Sequence, residues 1–167
     1  MVSTDEDWEK RIHALWAAID DYEPDEFVAR IDALAAELPE GSATALFERG
    51  GARDSTGRPA EAVAFYRAAL DAGLTGERRR RVVVQLASSL RNLGEPAEAL
   101  ALLQAELRRT SDHLDGAVRA VLALTLVSLG REREAAGVAL SALAEYLPRY
   151  NRSMARYAQQ LCGPETF

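Results

Sequence analysis

A motif of about 36 residues recurs four times along the 167-residue chain, and no other feature of the sequence limits the fold so strongly. The four copies align on a glutamate, and successive glutamates lie 35, 37 and 36 residues apart. These anchors are Glu26, Glu61, Glu98 and Glu134. In the last three copies a glycine (Gly57, Gly94 or Gly130) lies four residues before the anchor. Glycine adopts the left-handed conformation that ends one helix and opens a tight turn, so each copy predicts a helix, a turn and a helix.

Apolar residues precede each turn glycine at intervals of three and four, the spacing that gives a helix one buried face. The clearest run is Val83, Leu86, Ala87, Leu90 and Leu93, and its counterparts are Leu122, Ala123, Leu126 and Leu129 and, near the N-terminus, Ile12, Leu15, Trp16, Ile19 and Tyr22. Aromatic residues make up only 7% of the chain, a composition that favours helices over strands. We therefore predict an all-α protein, in which Leu86→Ala or Leu122→Ala costs about 2 to 5 kcal/mol.

The repeat resembles the tetratricopeptide repeat family. The turn glycine carries the resemblance together with the alanine after each anchor glutamate (Ala62, Ala99 and Ala135) and the pair Leu86-Ala87. The segments FERGGARDSTGRPAEAVAFYRAAL, RRRRVVVQLASSLRNLG and LPRYNRSMARYA are similar to a bacterial subgroup of this family, often called group 5. The resemblance implies a right-handed superhelical stack of helical hairpins and a role as an adaptor or scaffold that binds other proteins.

We expect a single domain over residues 1–167, with hairpins at about 5–38, 42–72, 77–109 and 112–146 and a capping helix over 149–162. The capping helix would cover the last apolar surface of the stack. Ser111 or Asp112 is predicted to cap the helix that follows it. The first repeat is degenerate, since the bulky Trp16 and Phe27 replace small residues there. The pair Gly50-Gly51 would let a neighbouring segment approach closely.

A polar stripe runs along the helix that begins with four consecutive arginines. Its predicted partner-binding residues are Arg81, Gln85, Ser88, Arg91 and Asn92. Arg81, Gln85, Ser88 and Asn92 follow one another at steps of three and four, which places them on one helix face, and Arg91 flanks that face. The resemblance implies that this helix, the first of its hairpin, lines a concave groove. Side chains of this kind can bind a carboxylate or the backbone of an extended peptide.

Two other interpretations of the arginine run stay open at this point. Arg79 and Arg80 could be solvated loop residues. In the same interpretation, Arg81 and Arg91 pair with acidic residues of the preceding repeat such as Glu48 and Asp54. Nucleic-acid binding is disfavoured, because the chain has a net charge of −6 and the basic segment contains no aromatic residue.

The corresponding stripe of the fourth repeat is mainly apolar and consists of Ala117, Val121, Leu124 and Ser128. This stripe predicts that a bound peptide places apolar side chains towards the C-terminal repeats. The alternative is that the C-terminal helix, or a second copy of the chain in a homodimer, covers Val121 and Leu124. A small-molecule binder or an enzyme is a third and weaker alternative.

No residue of the sequence is predicted to be catalytic, to bind a metal or to hold a cofactor. His13 and His113 are the only histidines; we interpret His13 as an interface residue and His113 as structural. Cys162, the single cysteine, has no histidine nearby in sequence that would activate it. The acidic N-terminus lacks a signal peptide, and no apolar stretch is long enough to span a bilayer. We therefore expect a cytoplasmic protein that binds no membrane.

Overall fold

The computed structural model describes residues 4–109 and 111–163, and in that part of the chain all regular structure is helical. The helices are α1 (Thr4–Ala17), α2 (Pro24–Ala35), α3 (Ala43–Ser55), α4 (Pro59–Asp71), α5 (Gly76–Asn92), α6 (Pro96–Arg109), α7 (Asp115–Ser128), α8 (Glu132–Ala144) and α9 (Asn151–Leu161), with a short 3-10 turn at Ile19–Asp21. The all-α prediction is confirmed. The chain forms two compact units, Met1–Arg78 and Arg79–Phe167, which are described separately below. The organisation as a single domain stays a prediction.

The turns between paired helices form as the glycine spacing predicts. Gly57, Gly94 and Gly130 all have positive φ angles, between 71° and 86°. After each of them, the next backbone N–H reaches back five residues to a helix carbonyl, as Glu95 does to Leu90 at 2.9 Å. This bond satisfies a carbonyl that the end of the helix would otherwise leave without a partner. The turn chemistry of all three hairpins is therefore encoded locally.

One hydrophobic cluster of the first unit lies between α1, α2 and α3. Its buried residues are Trp8, Ile12, Phe27, Val28, Ile31 and Ala52. Trp16 packs edge-on against Phe27, with ring centroids 5.1 Å apart, so the two bulky residues of the degenerate repeat fill space together. Gly51 makes room for this pair, because a Cβ atom there would lie 3.1 Å from the Trp16 ring. Gly50 does the same for Tyr66, at 2.6 Å, which confirms the predicted close approach.

The core of the second unit contains leucines of the predicted apolar faces of α5 and α7, together with Leu103 of α6. Leu86, Leu90, Leu103, Leu122 and Leu126 are all buried. Leu93 is an exception, because it follows the last residue of α5 and is 40% exposed. The apolar spacing continues through this residue, but the helix ends before it, so the prediction that Leu93 faces the core is wrong.

The segment before α7 differs from the prediction. Leu114, rather than Ser111 or Asp112, takes the capping position, and α7 begins at Asp115. The Asp112 carboxylate is held elsewhere, since it accepts a hydrogen bond from the Leu114 N–H at 2.8 Å and forms an ion pair with the Arg80 Nε at 2.9 Å. These contacts keep Asp112 outside the helix.

The last helix, α9, packs on α8 at very short range. A Cβ atom at Gly137 would lie 2.6 Å from the Cys162 Sγ and 2.8 Å from the backbone oxygen of Ala158, so glycine is required for this contact. Helix α9 begins at Asn151, after Tyr150 in a left-handed conformation with φ 67°.

Candidate functional site

The five residues of the predicted polar stripe all lie on α5 within the second unit. Arg81 and Asn92 are exposed, and Gln85, Ser88 and Arg91 are half-buried. The Arg91 Nη2 donates a hydrogen bond to the Asn92 Oδ1 at 2.8 Å, so these two side chains hold one another in place. The Gln85 Oε1 is buried and has no hydrogen-bond partner within the described part of the chain. The stripe is thus polar and accessible at both ends, and in its middle one amide oxygen, the Gln85 Oε1, has no hydrogen bond within the described part of the chain.

The arginine run ahead of the stripe divides into residues with different surroundings. Arg78 belongs to the first unit, where its guanidinium donates to the Glu9 carboxylate at 2.9 and 2.6 Å. Its Nε donates to the Glu48 Oε1 at 3.3 Å. The hydrogen bond to Glu9 is the main reason that the pKa of Arg78 lies above its ordinary value; burial opposes the shift, and the nearby Glu48 charge adds to it.

Glu48 is a buried carboxylate of the first unit, only 3% exposed. The Trp16 indole N–H donates to its Oε2 at 2.7 Å, and Arg78 binds its other oxygen. Pairing of Arg81 and Arg91 with acidic residues such as Glu48 and Asp54 stays a prediction. Sequence spacing did not reveal this site, because Trp16 lies 32 residues before Glu48 and Arg78 lies 30 residues after it.

Arg79 and Arg80 are held in an ion network inside the second unit. Both pair with Glu106 of α6, Arg79 through its Nη1 at 2.6 Å and Arg80 through its Nη1 at 3.5 Å. Arg80 and Glu106 are each only 2% exposed, and Arg80 also pairs with Asp112 and Asp115. The interpretation of Arg79 and Arg80 as solvated loop residues is therefore wrong.

This ion network fixes the start of α7 against α5, the helix that carries the stripe. Asp115 at the start of α7 also accepts hydrogen bonds from the Ser111 hydroxyl at 2.6 Å and from the Asp112 N–H at 3.2 Å. Burial raises the pKa of Asp115, but these hydrogen bonds and the charges of Arg80 and Arg119 outweigh it and hold the pKa below its ordinary value. One sequence signal was available: Glu106 falls three residues after the buried Leu103, on the apolar face of α6.

An open apolar groove of about 540 Å³ lies between α7 and α8. Its lining consists of Ala120, Ala123, Leu124, Val127, Glu132, Ala135, Ala136 and Ala139. Leu124 is 50% exposed and Val127 is 51% exposed, so the C-terminal helix does not cover this surface. The alternative that the C-terminal helix covers Leu124 is therefore wrong, because α9 packs on another face of α8, around Gly137.

The electrostatic character of the chain changes between its two units. Residues 1–78 contain 17 acidic and 8 basic side chains, a formal net charge of −9. Residues 79–167 contain 9 acidic and 12 basic side chains, a formal net charge of +3. A carboxylate-bearing partner is therefore attracted by the second unit and repelled by the first.

The residues considered for chemistry are placed apart from one another. His13 is exposed on α1, contrary to the expectation of an interface histidine, and His113 is exposed before α7. Within residues 4–109 and 111–163 no group of three or more His, Cys, Asp or Glu side chains is placed to hold a metal ion. Burial, followed by the charge of Glu134, raises the pKa of the Cys162 thiol.

Comparisons with known proteins complete the description of the site. A family model described as Tetratrico peptide repeat matches residues 43–161, which is more than two-thirds of the chain. Searches of curated proteins and of solved structures find no match. Over the part of the chain that the structure describes, every helix is too short or too polar to cross a membrane.

Proposed function

Because the chain belongs to the tetratricopeptide repeat family, we propose that it is a non-catalytic protein-interaction module that binds an extended segment of a partner protein along α5. The observation that carries the proposal is the polar face of Arg81, Gln85, Ser88, Arg91 and Asn92, which contains exposed cationic and amide groups in a unit of net positive charge. The ion network of Arg79 and Arg80 supports the proposal, since it ties the stripe helix α5 to α6 and to the start of α7.

The chemistry of the stripe defines the partner. A guanidinium recognises a carboxylate by charge-assisted hydrogen bonds, and the Gln85 and Asn92 amides can bind backbone groups of an extended chain. The neighbouring stripe of α7 is apolar, with Leu124 half-exposed. We therefore propose a partner tail with an acidic residue over α5 and apolar side chains over α7. A cytoplasmic location, the lack of a cofactor, and the absence of nucleic-acid and membrane binding stay predictions from the sequence.

The test exchanges the charges of the stripe and identifies what is lost. The variant Arg81→Glu/Arg91→Glu and the wild type are used as baits in the native lysate, and each captured segment is then titrated by calorimetry. Loss of a hydrogen bond to a charged group costs about 1.5 to 3 kcal/mol, so we expect affinity to fall at least about tenfold.

The matched control is Arg108→Glu/Arg109→Glu, which reverses two exposed arginines at the end of α6, the second helix of the same hairpin. It should retain the partner, and circular dichroism should show equal helicity in all three proteins. A stripe variant that binds the same segments as the wild type with unchanged affinity contradicts the proposal.

A second candidate function is self-association, favoured by the open groove between α7 and α8. Exposed apolar surface of this kind marks interaction sites in soluble proteins. Light scattering over a concentration series measures the mass directly, and a protein that stays monomeric at millimolar concentration rules this function out.

A further inference from the structure

The segment of residues 146–163, which contains α9, is basic although the chain as a whole is acidic. It carries three arginines and no acidic residue, a formal net charge of +3, against −6 for the whole chain. All three are exposed: Arg149, Arg152 and Arg156. Within the described part of the chain none of them forms an ion pair, and Glu145, just before the segment, pairs with Arg119 instead. The positive charge of this segment is therefore not neutralised by the described residues.

Two of these arginines lie where they lower the stability of α9. Arg152 is in the first turn of the helix, and the N-terminal end of a helix carries a partial positive charge that disfavours cations. Arg152 and Arg156 are four residues apart, so their like charges lie on one side of the helix and repel. The first turn of α9 contains no acidic side chain that would offset either effect. Stability of the fold does not explain this arrangement, whereas a bound anion would relieve both effects.

Tyr150, which lies between Arg149 and the helix, is strained as well. Its φ of 67° is the only positive φ of a non-glycine residue in the part of the chain that the structure describes. Glycine and asparagine adopt this conformation at lower cost. The Tyr150 side chain is 76% exposed, so burial of the ring offsets little of the cost. Strained residues of this kind cluster at ligand sites.

A second exposed tyrosine lies beside Arg156. The Arg156 Cζ is 5.3 Å from the centroid of the Tyr157 ring, and this cation-π contact holds the two groups together before any partner binds. Arginine and tyrosine dominate the binding energy of protein interfaces, because a guanidinium bonds to carboxylates and a tyrosine offers both apolar area and a hydroxyl. Together these residues form the α9 surface: Arg149, Tyr150, Arg152, Arg156 and Tyr157.

An acidic segment of a partner protein fits the α9 surface better than a large polyanion does. Nucleic acid or an anionic membrane meets the field of the whole chain, whose net charge of −6 repels it. A short acidic segment responds mainly to the charges next to it, because salt largely screens charges more than about 8 Å away at physiological ionic strength. The local charge of +3 therefore selects a partner of small extent.

The spacing of the two helical arginines defines the acidic segment further. Four residues of a helix rise about 6 Å, and alternate side chains of an extended chain lie about 6.6 Å apart on one side. Two acidic residues separated by one other residue therefore match Arg152 and Arg156. We propose that the α9 surface binds an extended segment of a partner protein that carries acidic residues at alternate positions. This site is separate from the α5 stripe and requires neither peptide binding there nor self-association.

The test measures the binding of a labelled peptide to the full chain by fluorescence anisotropy. The peptide carries glutamate at alternate positions, and a matched peptide carries glutamine at the same positions. Exposed ion pairs are individually weak, so we expect a dissociation constant on the order of 100 μM that rises with salt concentration. The glutamine peptide should not bind.

Charge reversal on α9 should weaken binding of the glutamate peptide. Arg152→Glu/Arg156→Glu should bind at least about tenfold more weakly, because two attractions become repulsions. The matched control, Arg108→Glu/Arg109→Glu, reverses two exposed arginines of α6 and should bind like the wild type. Circular dichroism should show equal helicity in all three proteins.

Tyr150→Asn separates binding from folding. This variant should bind about threefold more weakly, since it loses the exposed ring. It should unfold at an equal or higher urea concentration than the wild type, because asparagine tolerates the left-handed conformation. A variant that unfolds at lower urea and binds like the wild type shows that the ring serves the fold, which contradicts the inference.

The α5 stripe also contains arginines, so the titrations are repeated in Arg81→Glu/Arg91→Glu. The α9 substitutions should weaken binding in this background too. A wild type that binds no peptide, or α9 substitutions that leave its affinity unchanged, overturn the inference. If the stripe substitutions alone abolish binding, the inference is wrong and the proposed function of the stripe is supported.

Two other probes represent the larger anions: a single-stranded oligonucleotide and vesicles that contain phosphatidylserine. Both should bind the wild type more weakly than the glutamate peptide does. Tighter binding of either probe that is lost in Arg152→Glu/Arg156→Glu assigns the α9 surface to nucleic acid or to a membrane, and the acidic protein segment is then wrong.

Discussion

The ion network around Arg80 allows a quantitative test of the second unit, by removing one charge with Glu106→Gln. The glutamine keeps the shape of the side chain, and its oxygen still faces the Arg79 Nη1, which lies 2.6 Å from the carboxylate. Two buried or half-buried guanidinium groups lose a counter-charge. Breaking a buried ion pair costs about 3 to 5 kcal/mol. We expect the lower end, about 3 kcal/mol, because Arg80 keeps Asp112 and Asp115.

Urea unfolding followed by far-ultraviolet circular dichroism measures this loss. A loss of about 3 kcal/mol corresponds to a fall in Tm of roughly 6 to 12 °C for a chain of this length. The control is Glu98→Gln, an exposed glutamate of the same helix, which should change stability by less than about 1 kcal/mol. The urea dependence of the unfolding free energy should stay constant, so that a shift in midpoint reports stability alone.

A double-mutant cycle then isolates one pair of the network. Combining Glu106→Gln with Arg79→Met should give a coupling energy of about 1 to 3 kcal/mol, since these side chains are in direct contact. If Glu106→Gln costs no more than Glu98→Gln and the coupling is zero, the network does not stabilise the second unit and the reasoning from burial is refuted.

Three further predictions concern α7, α8 and α9. Gly137→Ala gains about 1 kcal/mol of helix propensity but places a Cβ atom 2.8 Å from the Ala158 oxygen, so we expect a net loss of about 1 to 2 kcal/mol in urea unfolding; a more stable variant contradicts this. The lowered pKa of Asp115 implies stability that is complete above the ordinary aspartate pKa of about 3.9 and is lost as the pH falls through the folded pKa. The free energy of unfolding of the wild type should therefore exceed that of Asp115→Asn by a constant amount near neutral pH and by less in acid. A difference that is unchanged at about pH 3 contradicts the lowered pKa. The raised pKa of Cys162 predicts slower alkylation by iodoacetamide than free cysteine at about pH 8, and Glu134→Gln should accelerate it; mass spectrometry that finds equal rates contradicts the shift.

The hairpins could be predicted from the sequence because their signals are local. Gly94 and the apolar residues ahead of it lie within one turn and one helix. The residues of each repeat are therefore enough to predict the hairpin that it forms. The four copies then reinforce one another. Leu93 shows that spacing does not predict where a helix ends, since the apolar spacing continues through Leu93 whereas α5 ends at Asn92.

The ion pairs of the Arg80 network could not be predicted, because their partners are distant along the chain. Glu106 lies 26 residues from Arg80, and Asp115 lies 35 residues from it. A run of four arginines looks uniform in the sequence, but burial separates Arg80 from the exposed Arg81. The positions of the stripe residues on one helix follow from spacing, whereas binding by that stripe is a matter for experiment.

The contacts of the two tryptophans have a spectroscopic consequence. Trp8 is buried and donates its indole N–H to the Leu34 oxygen at 2.8 Å, and Trp16 donates to the buried Glu48. Both belong to residues 1–78, and residues 79–167 contain no tryptophan. Tryptophan fluorescence, excited at a wavelength that tyrosine does not absorb, therefore reports only on the first half of the chain, and loss of either bond should shift its emission. Circular dichroism reports on both halves, so the two signals together show whether they unfold in one step or two.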